Sequence, residues 1–177
     1  MLPRRKQGKG ETVRHRTLIA YLLLIFSSPA TAIELHLEHG PSTSFMARPE
    51  HYQTSTYTGW TVRYGGGFFA ELHQGGWVGE AFGRLSALSV GLRSRGRFFA
   101  ETTLGAVSMH NYDPEQLDGN RQVMFMLGVG ARVEDLFVTL RLRHISNASS
   151  VTGSSDQRQD ERNNAADFVV LSVGVDF

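Results

Sequence analysis

His144 and Ser146 stand two residues apart at the end of the run Leu136-Phe137-Val138-Thr139-Leu140-Arg141-Leu142-Arg143. In an extended chain every second side chain points to the same face, so imidazole and hydroxyl share a face with α-carbons ~6.5–7 Å apart. That spacing lets the imidazole accept the serine proton. A serine hydroxyl is a poor nucleophile until a base takes its proton, and an imidazole is largely neutral and able to do so at pH 7. A carboxylate on the other ring nitrogen would fix the tautomer, and amide donors would hold an oxyanion. The chemistry within reach is acyl transfer by an activated hydroxyl. His-x-Ser also arises by chance in chains with seven histidines. On the bland reading His144 is an interfacial anchor and Ser146 opens a polar loop, so position has to separate the two.

The strand that must carry the pair is unusual. Leu136, Val138, Leu140 and Leu142 share the face of His144 and Ser146, and the opposite face carries Phe137, Thr139, Arg141 and Arg143. An apolar stripe ending in a base and a hydroxyl, backed by two arginines, inverts the pattern of a soluble enzyme. Its apolar side suits lipid, and its chemistry is aimed at lipid.

Composition removes several alternatives. At 177 residues the chain is long enough for one domain, with 20% charged and 10% aromatic residues. The absence of cysteine excludes a disulfide framework, a thiolate metal site and a cysteine nucleophile. A net charge of +1, with basic residues gathered only near the N-terminus, gives no reason to expect nucleic acid. That cluster (Arg4, Arg5, Lys6, Lys9, Arg14, Arg16) precedes the apolar run Leu18 to Phe26 and then Ala30-Thr31-Ala32. The run is far shorter than the ~20 residues of a membrane-spanning helix. We read residues 1–32 as a signal peptide cleaved after Ala32. Its basic region is long, and Val13 is an alternative start.

After Ala32, period-two alternation recurs between turn signals, and no helical period is sustained. Strands are expected near 33–39, 56–64, 67–74, 82–92, 97–109, 121–132, 136–146 and 167–177. Tilted strands cross a membrane in ~9–11 residues. The connections alternate in length: long at 40–55, 110–120 and 147–166, intermediate at 75–81, and short at 65–66, 93–96 and 133–135 between them. An even strand count with long outer loops and short periplasmic turns predicts an all-β fold, an eight-stranded antiparallel transmembrane β-barrel at residues 33–177 in the outer membrane. Sorting by parity sends Glu34, Glu38, Arg63, Glu101, Arg132, Arg141, Arg143 and Asp176 inward, as a polar interior without an obvious pore. The fourth strand sorts poorly, because Arg84 shares parity with Leu88, Val90 and Leu92, so a bulge is expected there.

Depth brings in an acid. Asp167 lies ten residues before Phe177 with outward parity, and ten residues at ~3.3 Å, tilted ~45°, climb roughly 23 Å from the periplasmic end. His144 and Ser146 top the adjacent antiparallel strand. Acid, base and nucleophile are thus expected to meet on the barrel exterior, at the boundary of the outer leaflet.

The residues Phe98-Phe99-Ala100-Glu101, Leu104-Gly105-Ala106-Val107, Leu127-Gly128-Val129-Gly130-Ala131 and His144-Ile145-Ser146-Asn147-Ala148 together resemble the PagL family of lipid A 3-O-deacylases. The resemblance covers most of the C-terminal half. It implies an outer-membrane serine esterase that needs no metal or cofactor and acts on lipid A of lipopolysaccharide. By that resemblance Ser146 is the nucleophile and His144 the base, and Asn147 and Asn163 serve the oxyanion or substrate. The family's Asn-x-Gly-x-Glu segment falls on Asn163-Asn164-Ala165-Ala166-Asp167, so Asp167 stands for glutamate and Ala165 for glycine. Glu161 is the rival acid. Because aspartate is one methylene shorter, a longer orienting bond or a shifted strand is expected.

Two other readings stay open. One is a non-catalytic small barrel with a structural or surface-binding role, and the other a soluble lipocalin-like carrier. As partner, a second copy of the chain in a homodimer stands beside lipopolysaccharide and the outer membrane. Asn147-Ala148-Ser149 matches a glycosylation acceptor, a modification out of place on an outer-membrane barrel. His36 with His39, and His110 near Asp113, lack zinc spacing and suit lumen and loops.

Overall fold

The computed structural model describes residues 32–44, 53–113, 120–147 and 165–177. They form β1 (Ile33–Thr43), β2 (Ser55–Gly65), β3 (Phe68–Gly79), β4 (Gly83–Arg93), β5 (Phe98–His110), β6 (Arg121–Val133), β7 (Leu136–Asn147) and β8 (Ala165–Asp176). Each strand pairs antiparallel with the next, and β8 closes on β1 to complete a barrel. All eight expected strands are present. The largest shift is in β3, which continues to Gly79 and leaves only residues 80–82 as the connection to β4. Gly75 resembles a turn signal but is paired with Gly59, and a β-carbon on either would run into the Tyr57 hydroxyl. Here glycine permits close approach inside a strand and does not end it.

The exterior is apolar through the middle of the barrel. Leu37, Leu72, Leu88, Leu104, Val129, Leu140 and Leu171 alternate outward and are at least half exposed. The ladder closes around the ring, as lipid requires of a spanning segment, and its pairing of β1 with β8 is interrupted at Gly40 and Pro41, near the outer end. The apolar faces therefore lie where hydrocarbon replaces water.

The interior is polar in the half nearer the short turns, the expected periplasmic side. Arg63 Nε donates to Glu71 Oε1 at 2.8 Å, and its Nη1 donates to Glu101 Oε2 at 2.9 Å. Arg93 binds Glu34 through Nη1 at 2.6 Å. Arg141 Nε donates to Glu101 Oε1 at 2.8 Å, and Glu38 joins Arg141 to Arg143, whose Nη2 lies 2.6 Å from Glu38 Oε2. His36 bonds Glu34 and Ser172, and His73 bonds Thr61 and Ser89. Buried charges are tolerated only when paired and hydrogen-bonded in this way.

Two inward assignments differ from expectation. Arg132 and Asp176 pair at 3.0 Å at the periplasmic end, where the arginine side chain is 46% exposed. The lumen is also not polar throughout. Towards the outer end Tyr57, Trp77, Leu85, Met109, Met124, Ile145 and Phe168 form a buried apolar cluster. Phe168 is central to it, with its ring centroid 5.3 Å from Trp77 and 5.5 Å from Tyr57.

The expected bulge in β4 is absent. Its register runs unbroken against β3 and β5, and inward Leu85, Ala87, Ser89 and Gly91 alternate with outward Arg84, Leu88, Val90 and Leu92. Arg84 points outward because it sits at the outer end of the strand, above the apolar band. An arginine there reaches the polar boundary instead of hydrocarbon.

Candidate active site

The alternation of β7 and β8 decides where the candidate groups point. Ile145, Ala166 and Phe168 are buried in the apolar cluster of the lumen. Their neighbours His144, Ser146 and Asp167 must then take the outer face, since a one-residue slip would drive the whole cluster into lipid. In the β7–β8 register His144 lies opposite Asp167, and Ser146 lies opposite Ala165. On the other side, Phe125 lies opposite His144 and Val123 opposite Ser146.

His144 Nδ1 lies 2.5 Å from Asp167 Oδ1. A carboxylate only accepts, so Nδ1 carries the proton and, in the neutral ring, Nε2 is the acceptor. That is the tautomer a general base towards serine needs. Asp167 is only 3% exposed although its parity is outward, while the His144 side chain keeps 17% of its surface. The expected longer bond does not appear. Directly opposed residues of an antiparallel pair sit ~4.5–5.5 Å apart at their α-carbons, and aspartate reaches imidazole across that gap without a change in register.

Ser146 shares the outer face two residues beyond His144 and is half-buried. Among the described residues no hydrogen bond joins its hydroxyl to His144. Val123, Phe125, Leu142 and Val169, also half-buried, surround the group with apolar surface, whereas Leu127, Val129, Leu140 and Leu171 further down are openly exposed. The arrangement offers a base with a fixed tautomer, a hydroxyl on the same face and an apolar wall. These are a base, a nucleophile and a binding surface for attack on an ester presented from the membrane side.

The other candidates separate. Asn147 closes β7 beside Ser146. Glu161 and Asn163 lie outside the described residues, as do the segment 1–31 and the segment 148–164. His36 is inside the lumen, His39 is on the exterior with Nδ1 3.0 Å from Thr58 Oγ1, and His110 ends β5. Phe125 and Phe168 escaped the sequence reading as neighbours of the site. The parity of each was legible, but the register that sets Phe125 beside His144, and the packing that seats Phe168 beneath Asp167, were not.

Comparison with known proteins bears on the family and the fold. The profile of the lipid A 3-O-deacylase (PagL) family matches residues 42–176. The crystal structure of the outer-membrane enzyme PagL superposes with a TM-score of 0.54 at 13% identity, covering 80% of this chain and 98% of that one. The N-terminal β-barrel domain of Pseudomonas aeruginosa OprF gives 0.52 at 13% identity, covering 83% of this chain and 98% of that one. A designed transmembrane β-barrel gives 0.51 at 9% identity, covering 85% and 98%. At such identities the structural likeness speaks for the fold alone, the closed antiparallel barrel that the eight strands form. A comparison with curated protein sequences finds no significant match. With three quarters of its length matched by the family profile, the chain belongs to the lipid A 3-O-deacylase (PagL) family.

Proposed function

We propose that the protein is an active lipid A 3-O-deacylase, a serine esterase working on lipid that approaches the barrel from the outer leaflet. The observation that carries this reading is the His144–Asp167 hydrogen bond on the barrel exterior, beside Ser146, in a chain of this family. Ser146 Oγ attacks the carbonyl carbon of the 3-position ester as His144 Nε2 takes its proton. The tetrahedral oxyanion is received by backbone amides with Asn163 or Asn147. Collapse breaks the bond to the sugar oxygen, which leaves with the proton returned by His144, and Ser146 holds the acyl chain. Water, deprotonated by His144, then attacks the acyl-enzyme and releases the fatty acid and free Ser146. Asp167 holds the ring and stabilises the imidazolium throughout. Glu161 is the rival acid only if Asp167 proves dispensable.

The test is mass spectrometry of lipid A from a Gram-negative host that lacks such an enzyme, expressing this chain or its Ser146→Ala form at equal outer-membrane levels. Loss of one 3-hydroxyacyl mass with the parent chain alone supports the reading. Unchanged lipid A in both, from correctly assembled barrels, overturns it in favour of a non-catalytic barrel.

A further inference from the structure

Three cationic or titratable side chains leave the barrel on the outward face at the outer ends of consecutive strands: Arg84 on β4, His110 on β5 and Arg121 on β6. All three are exposed. Arg84 lies opposite His110, and Arg121 lies opposite Ser108, two residues below His110 on the same face. The three therefore form one band, with hydroxyls at Ser86 and Ser108 beneath it. Neither arginine has a carboxylate partner among the described residues.

The band adjoins the candidate active site. Arg121 is two residues above Val123, and Val123 lies opposite Ser146. One strand spacing sideways and two residues along place the α-carbons of Arg121 and Ser146 roughly 8 Å apart. Following the register with the ~35–45° tilt of barrel strands, Arg84 and Arg121 come within roughly 5 Å of the height of Ser146. Nucleophile and cations thus share a depth, where hydrocarbon gives way to headgroup. An arginine at that depth with no carboxylate partner among the described residues is suited to anionic oxygens, and its planar guanidinium suits phosphate.

We propose that Arg121, supported by His110 and Arg84, binds a phosphate group on the sugar head of the lipid whose ester Ser146 attacks. Arg121 is the near contact, and the other two extend the anionic path around the barrel. The lipid is then gripped at two points, by its phosphate at the band and by its ester at Ser146. The ester is delivered in register with the nucleophile, and an unphosphorylated lipid is held less well. This rests on the proposed esterase for its substrate, but not on catalysis for its test.

Binding is measured with the Ser146→Ala protein in detergent micelles, using lipid A with its phosphates and lipid A freed of them enzymatically. Arg121→Gln in that background is expected to weaken binding of the phosphorylated lipid about tenfold and to leave the dephosphorylated lipid unchanged. Arg121→Lys recovers part of the loss. In the parent chain the same glutamine raises KM for the phosphorylated lipid and leaves kcat within about twofold. Equal affinity of the Ser146→Ala protein for the two lipids, or an equal loss for both on Arg121→Gln, overturns the phosphate site. If the parent chain hydrolyses neither lipid but the phosphate preference and its loss are observed, the esterase reading fails and the phosphate site stands.

Discussion

His144 Nδ1 and Asp167 Oδ1 stand 2.5 Å apart, and that closeness makes the pair sensitive to single atoms. Asp167→Asn replaces a pure acceptor by an amide that tolerates the wrong histidine tautomer. The turnover rate on solubilised lipid A is expected to fall by about 10²–10⁴, with the barrel still heat-modifiable on gels. Asp167→Glu adds a methylene where no slack exists. The imidazole has to move, and a loss of up to ~10² is expected, because a misplacement near 1 Å at a reacting group has that scale. A larger loss for glutamate than for asparagine would count against Asp167 as the residue that sets the tautomer.

At the scale of elements, the outer ends of β7 and β8 are held by what they bury in the lumen. Phe168 sits between Tyr57 and Trp77, directly after Asp167 in the chain, and is fully buried. Removing the ring leaves a cavity under the site, so Phe168→Ala should cost about 3–5 kcal/mol of unfolding free energy in lipid vesicles. The same change should lower kcat with little effect on KM, since it loosens the acid without touching the lipid. Phe168→Leu keeps most of the volume and should restore most of the rate. If Phe168→Ala destabilises the barrel but leaves kcat intact, the cluster supports the wall and not the position of Asp167.

For the whole molecule, two predictions follow from an inside that is charged and an outside that is apolar. Glu38 joins Arg141 and Arg143, all three buried. Glu38→Ala leaves both guanidinium groups short of that carboxylate and should cost about 3–5 kcal/mol, read from urea unfolding of the vesicle-inserted barrel. On the outside, Leu140 lies mid-way along β7 and Leu136 at its periplasmic start, and both are exposed. An arginine at Leu140 should cost about 2–4 kcal/mol and one at Leu136 about 0–1, because the cost of a lipid-facing charge depends on depth. Equal costs at the two positions would contradict the placement of the bilayer.

The alternation of residues 33–177 was enough to specify eight strands, their outward faces and the outward aim of His144, Ser146 and Asp167. Side-chain parity is a local property of an extended chain, and lipid on one side makes it readable. The periplasmic half of the lumen was legible for the same reason, through Glu34, Glu38, Arg63, Glu101, Arg141 and Arg143. Parity does not say which residue stands beside which. The register set Asp167 opposite His144 and showed that aspartate is long enough, and it aligned Arg84, His110 and Arg121 into a band beside Ser146. It also corrected two local readings: Gly75 lies within a strand because Tyr57 packs over it, and Arg84 needs no bulge because it stands above the apolar band. Closure of the barrel fixes all of these together, since shifting any one strand would break its pairing with both neighbours, and that constraint exists only once the ring is complete.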